Sequence, residues 1–170
     1  MAHTLSANVE NLTLTGTAHI SGTGNDLAND LVGNAGSNLL DGGAGADIIA
    51  AGEGDDVLVG GAGADRLTGG AGSDVFRILS QAESTVSSQD VILDFSHGDL
   101  IDLSSVYSGT LAYRHNGAFT GQAGEVQLTT SGGGVMVNID LTGDKASDMQ
   151  IYLAGVSVGM MQDNGGDFLL

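Results

Sequence analysis

From residue 33 to residue 77 the sequence keeps a nine-residue period without a slip, reading GNAGSNLLD, GGAGADIIA, AGEGDDVLV, GGAGADRLT and GGAGSDVFR. A unit this short cannot bury its own apolar residue, so the units must stack on one another. Glycines at places one, two and four of the unit permit positive φ and close backbone approach, which makes the first six residues a turn. The last three read as a short strand around one inward apolar residue: Leu40, Ile49, Leu58, Leu67 and Phe76. One turn and one strand per unit predict a parallel coil. Two units complete a turn of that coil, so turns of alternate units lie above each other at the strand spacing of about 4.8 Å.

The pattern fades in both directions. GNDLANDLV (24–32) keeps Asn29 and Leu31 at the sixth and eighth places, and weaker copies extend back through VENLTLTGTAHISGT. Beyond residue 78, DVILDF, LIDLSSV, EVQLTT, VMVNIDL and MQIYLAGV read as longer strands between glycine and polar turns. AESTVSSQD (82–90) reads either as a short helix or as a loop. The expectation is an all-β chain in three stretches: degenerate repeats and N-terminal coil over 1–32, regular repeats over 33–77, and a β-rich cap over 78–170.

The coil poses an electrostatic problem. Its sixth places stack Asp47 beside Asp65, Asp56 beside Asp74, and the neutral Asn38 beside Asp56. Two carboxylates about 5 Å apart repel by roughly 3 kcal/mol at an effective dielectric near 20. The metal-free array is therefore expected to be disordered, and a divalent cation between stacked turns turns the repulsion into coordination. Calcium fits best, because it accepts six or more carboxylate and carbonyl oxygens in flexible geometry. Magnesium dehydrates reluctantly, and zinc favours the histidine or thiolate ligands missing from the pattern.

The whole chain points the same way, with 21 acidic residues against four basic ones, Arg66, Arg77, Arg114 and Lys145. A net charge of −17 opposes binding to nucleic acid or to anionic membranes. Yet 41% of residues are hydrophobic and recur in register, which a merely solvated acidic tail would not need. Without cysteine there is no disulfide or thiolate–metal chemistry. The N-terminus MAHTLSANVENLTL has neither a basic leader nor an unbroken apolar run, so it reads as neither a Sec-type signal nor a membrane span. It opens partway into the repeat, which suggests the terminal piece of a longer chain.

The unit GGxGxDxUx, with U a large apolar residue, resembles the calcium-binding nonapeptide of the repeats-in-toxin (RTX) family. GGAGSDVF, ESTVSSQDVILDF, GDLIDLS, FTGQAGEVQL, VNIDLTGD and the final DFLL are similar to the C-terminal domain of serralysin-type metalloproteases and related type I secreted proteins. The resemblance implies a right-handed parallel β-roll continuing into a β-sandwich-like cap. It implies calcium held by Gly42, Gly43, Gly45 and Asp47; Gly52, Gly54 and Asp56; Gly60, Gly61, Gly63 and Asp65; and Gly69, Gly70, Gly72 and Asp74. Asn38 joins this set at a weaker site, since it lacks the charge, while Ala51 replaces a glycine and leaves a carbonyl in place. Glu83 and Asp90 match two acidic residues that close the last calcium turn, against the alternative of a solvated acidic loop; Asp94, Asp99 and Asp102 match less well.

The resemblance further implies a secreted, monomeric, non-catalytic module of a larger protein, folding when it meets calcium outside the cell. Its uncleaved export signal for a type I ABC exporter would end at Asp167, Phe168, Leu169 and Leu170, residues that could equally complete a strand. The alternative is a carbohydrate-interacting accessory module, as in the R-modules of alginate epimerases, although the negative charge opposes alginate unless bound calcium bridges the two.

The remaining candidates are weaker. DLTGDKASD (140–148) spaces Asp140, Asp144 and Asp148 like a calcium loop, but Lys145 stands where an EF-hand needs glycine and Ile151 where it needs glutamate, so a hairpin is the better reading. His3, His19, His97 and His115 form no HExxH motif, and Ser104 and Ser105 lack a nucleophile-elbow context. No active site is expected.

Overall fold

The computed structural model describes residues 2–114, 117–161 and 166–170. Among them are sixteen strands in two sheets and a single 3-10 turn at Val158–Met160. One sheet runs, in spatial order, β1 (Ala2–Thr4), β3 (Ser21–Thr23), β5 (Leu39–Ala44), β7 (Val57–Ala62), β9 (Val75–Arg77), β11 (Leu100–Asp102) and β16 (Phe168–Leu169). The other runs β12 (Ala112–Arg114), β13 (Glu125–Ser131), β14 (Gly134–Asp140), β15 (Met149–Leu153), β10 (Asp90–Ile92), β8 (Arg66–Ala71), β6 (Ile48–Glu53), β4 (Asp30–Val32) and β2 (Asn11–Thr13). Successive repeat strands alternate between the sheets, all pairs within the coil are parallel, and neither sheet closes on itself. This is a parallel β-roll.

Register measures the coil. Leu39 pairs with Val57 and Val57 with Val75, while Asp30 pairs with Ile48 and Ile48 with Arg66, each partner eighteen residues on. Two departures interrupt this spacing. Ala2 pairs with Ser21 and Asn11 with Asp30, which places one extra residue between β2 and β3. Leu100 pairs with Val75 and Val91 with Arg66, which places seven extra residues between β9 and β10. Past that insertion the nine-residue step resumes and both sheets run on across residues 77 and 78.

The eighth-place side chains Leu31, Leu40, Ile49, Leu58, Leu67 and Phe76 are fully buried, and Ile92 and Ile101 continue their columns beyond the insertion. Each such burial contributes about 1.5–3 kcal/mol. The same core passes into the cap through Val126, Val137, Ile139, Ile151 and Leu153 on the antiparallel β13–β14–β15 meander, whose last strand pairs in parallel with β10.

Two local expectations need correction. The strands β5 to β8 are six residues long, not three, because pairing continues through the first three places of the next unit, as in Gly43 with Gly61 and Ala44 with Ala62. Positive φ occurs at the second and fourth places, for example Gly61 (94°) and Gly63 (157°), but not at first-place Gly42, Gly60 or Gly69. Of the segment 82–90, Asp90 opens β10 and the rest is a loop with turns, pinned by buried Ser84, whose Oγ donates to the carbonyl of Gln150 (2.7 Å) and accepts the N–H of Asp90 (2.8 Å).

Candidate metal centre

The sixth-place residues build two ladders, one on each side of the roll. In one, Oδ1 of Asp47 accepts the N–H of Asn29 (2.7 Å), Oδ1 of Asp65 that of Asp47 (2.8 Å), and Oδ1 of Asp90 that of Asp65 (3.1 Å). In the other, Asp56 accepts from Asn38 (2.7 Å), Asp74 from Asp56 (2.9 Å) and Asp99 from Asp74 (3.0 Å). Each carboxylate thus reaches back to the preceding turn on its own side. The seven-residue insertion leaves both ladders intact, and it explains why Asp90 and Asp99 lie twenty-five residues past their partners.

The second oxygen of these carboxylates is different. Oδ2 of Asp47, Asp56, Asp65, Asp74 and Asp90 is buried and has no hydrogen-bond donor among the described residues. Leaving one buried polar atom unpaired costs about 1–3 kcal/mol, and more when the group is charged. Five such atoms at equivalent positions of one repeat are a built feature. A Cβ on Gly42, Gly60 or Gly69 would overlap the Oδ2 of Asp47, Asp65 or Asp74 in the same unit, so in these three units the first-place glycine makes room for that oxygen. Ala51 occupies the first place in the unit of Asp56 without needing a positive φ. Second- and fourth-place glycines bring backbone carbonyls to the same turns: a Cβ on Gly61 or Gly63 would overlap the carbonyl oxygen of Gly43 or Gly45 in the turn below.

Electrostatics mark the same groups. Burial pushes Asp65 and Asp74 up to about 6, assisted by their carboxylate neighbours Asp47 and Glu83, and Asp99, Asp56 and Asp94, respectively. Burial pushes Asp90 to about 8, with Asp65 and Glu83 adding repulsion. Asp47 and Asp56 are raised for the same first reason, followed by Asp41 and Asp55. A dication would relieve both the desolvation and the repulsion. Among the described residues no three acidic or histidine side chains converge on one point. The donors on offer are single buried carboxylates and turn carbonyls, all hard oxygens, the set that suits calcium.

The other candidates separate by their partners. Glu83 lies in the insertion, its Oε2 accepting the N–H of Leu79 (2.8 Å), and burial raises its carboxyl within electrostatic reach of Asp65 and Asp90. Asp94 accepts the N–H groups of Gly69 (3.0 Å) and Gly70 (2.8 Å). Oδ2 of Asp99 is satisfied by the backbone and hydroxyl of Ser96 (2.8 and 3.2 Å). Asp102 is held by Arg77 (2.9 Å) and the Ser104 hydroxyl (2.6 Å); burial alone would raise it, but Ser104 and Arg77 bring it below the usual carboxylate range. Asn38 also spends both ends of its amide on hydrogen bonds.

Asp140 and Asp148 accept N–H groups of their own hairpin, from Gly143, Lys145, Leu141 and Thr142, and so close a turn. His3 and His19 are exposed, His97 lies in the turn before β11, and His115 lies outside the described residues. Asp167, Leu169 and Leu170 flank or form β16, whose Phe168 pairs with Ile101. No helix among the described residues is long and apolar enough to cross a membrane.

Residues 13–164 match the model of the family described as Peptidase M10 serralysin C terminal. No curated protein matches the chain. The solved structures that resemble it include two subunits of a mannuronan C5-epimerase from Azotobacter vinelandii. The AlgE6R3 subunit is 30% identical with a TM-score of 0.65, over 85% of this chain and 78% of that one. The AlgE6R2 subunit is 29% identical with a TM-score of 0.62, over 87% and 91%.

Proposed function

The chain belongs to the family of Peptidase M10 serralysin C-terminal domains, and from that premise we propose that it is a non-catalytic calcium-binding module that folds when it meets calcium outside the cell. The observation that carries this reading is the set of five unpaired carboxylate oxygens, on Asp47, Asp56, Asp65, Asp74 and Asp90. Each marks one seat between stacked turns. The carboxylates, with the carbonyls of the glycine turns around Gly42, Gly43, Gly45, Gly52, Gly54, Gly60, Gly61, Gly63, Gly69, Gly70 and Gly72, would hold the ions, and Glu83 would add charge beside Asp90. Bound calcium supplies the positive charge that the buried carboxylates lack, so its binding free energy becomes folding free energy.

In this reading the stretches 1–32, 33–77 and 78–170 serve as starting coil, calcium roll and cap of a secreted protein. The end of the cap, through Asp167, Phe168, Leu169 and Leu170, acts as the signal for a type I ABC exporter, which passes the chain unfolded in a calcium-poor interior. Circular dichroism during calcium titration, with magnesium as the control, tests the folding step. A cooperative gain of β structure with calcium alone is expected, and a signal indifferent to calcium contradicts the reading. Export of the chain with and without residues 167–170 tests the signal.

Likeness to two epimerase subunits favours a second reading, an accessory module that meets a uronate polymer. Arg77 and Arg114 are already paired with Asp102 and Glu125, and Arg66 and Lys145 alone face a net charge of −17, so in this reading calcium serves as the bridge to a polyanion. Oligomannuronate titrated with and without calcium tests it, and saturable binding only with calcium is the expected outcome.

A further inference from the structure

Upstream of the five unpaired oxygens, the atom facing the first-place glycine is the amide oxygen of Asn29 or Asn38, and the second places carry the side-chain amides of Asn25 and Asn34. Nδ2 of Asn25 donates to the carbonyls of Ser6 (2.9 Å) and Val9 (2.7 Å) in the turn below, and Nδ2 of Asn29 donates to Oδ1 of Asn25 (3.2 Å). Nine residues on, the arrangement recurs on the other side of the roll. Nδ2 of Asn34 donates to the carbonyls of Thr15 (3.3 Å) and Ala18 (3.1 Å), and Nδ2 of Asn38 to the carbonyl of Ile20 and to Oδ1 of Asn34 (both 3.1 Å). Oδ1 of Asn29 and of Asn38 accepts the N–H of Asn25 (2.7 Å) and of Asn34 (2.8 Å).

The NH2 group of asparagine carries two donor hydrogens and no net charge. Aimed at turn carbonyls, it does for them what a cation does, without attracting one. Downstream, two changes occur together. The second place becomes Gly43, Gly52, Gly61 or Gly70, which removes the amide, and the sixth place becomes Asp47, Asp56, Asp65 or Asp74, which adds a charge and an unpaired oxygen. Both changes open the position to a cation.

We propose that the pairs Asn25/Asn29 and Asn34/Asn38 are built-in replacements for calcium. The two upstream turns stay metal-free at calcium concentrations that fill the downstream ones, and they give the roll a metal-independent end on which calcium-driven stacking starts. This inference rests on the calcium reading of the downstream turns.

Its test is a calcium count by native mass spectrometry on the full chain and on the double variant Asn34→Gly, Asn38→Asp. Those changes make residues 33–38 read GGAGSD, as residues 69–74 already do. The variant is expected to carry one calcium more than the unsubstituted chain; an equal or smaller count overturns the proposal. Hydrogen exchange at the side-chain amides of the unsubstituted, calcium-loaded chain decides the matter even where the variant does not fold. The Nδ2 hydrogens of Asn25 and Asn34 are expected to exchange more slowly than those of exposed Asn8, and equal rates overturn the proposal. Slow exchange in a chain that takes up no calcium at all would overturn the calcium reading and the proposal with it, leaving Asn25 and Asn34 as hydrogen-bonded ties between turns.

Discussion

The backbone N–H of Asp47 donates to Oδ1 of Asp65 at 2.8 Å, while Oδ2 of the same Asp65 is buried with no donor among the described residues. One carboxylate therefore ties two turns together and presents an unpaired oxygen between them. Asp65→Asn keeps an acceptor for the Asp47 N–H and removes the charge. It is expected to raise the calcium midpoint of folding about tenfold, equivalent to roughly 1.4 kcal/mol. Asp65→Ala also loses the hydrogen bond, worth about 1 kcal/mol more. Calcium titrations followed by circular dichroism check the order, and equal midpoints for all three chains would contradict it.

Gly61 sits at φ 94°, and a side chain there would strike the carbonyl oxygen of Gly43. Gly61→Ala is expected to destabilise the calcium-loaded fold by about 1–3 kcal/mol. Gly159→Ala is the control, since a Cβ there meets nothing and φ is not positive; it is expected to stay within about 0.5 kcal/mol. Thermal unfolding in saturating calcium measures both.

How far the sequence revealed this arrangement depended on chain register. Over 33–77 the period is intact, and the burial of Leu40, Ile49, Leu58, Leu67 and Phe76 follows from it directly. Asp90 and Asp99 are sixth-place residues too, nine apart, but the seven-residue insertion before them hides their phase. Asp90 was visible only through family resemblance, and Asp99 only faintly. One extra residue between β2 and β3 blurs the N-terminal turns in the same way. The three-residue strands expected from the apolar pattern fell short because backbone pairing through Gly43 and Ala44 needs no apolar side chain. The second-place asparagines carried a signal that was legible: Asn25 and Asn34 stand where later units have glycine, and only their donor geometry gives the substitution meaning.

Ser84 holds the insertion against the roll through two hydrogen bonds, to the carbonyl of Gln150 and from the N–H of Asp90. Ser84→Ala removes the hydroxyl that both backbone groups bond to. A loss of about 1–3 kcal/mol is expected, together with a higher calcium midpoint because Asp90 is positioned by that bond. Denaturant unfolding in calcium checks the first, and the titration checks the second.

Acidification should substitute in part for the metal. Without calcium the folded-state carboxyls of Asp65 and Asp74 titrate near 6 and that of Asp90 near 8, raised first by burial, against an ordinary value of 3.8. The folded state then binds more protons than the unfolded one. The stability these groups contribute is fully present below about 3.8 and is lost as pH rises through 6 and then 8. The calcium-free chain is expected to gain β structure as pH falls from 8 toward 5, whereas calcium affinity falls over the same range as protons compete. Circular dichroism at fixed, chelated calcium checks the sign.

The most direct measurement is anomalous diffraction from crystals grown in calcium. Density is expected beside Oδ2 of Asp47, Asp56, Asp65, Asp74 and Asp90. Well-ordered turns with no calcium at those five oxygens would contradict the claim that a cation completes the roll.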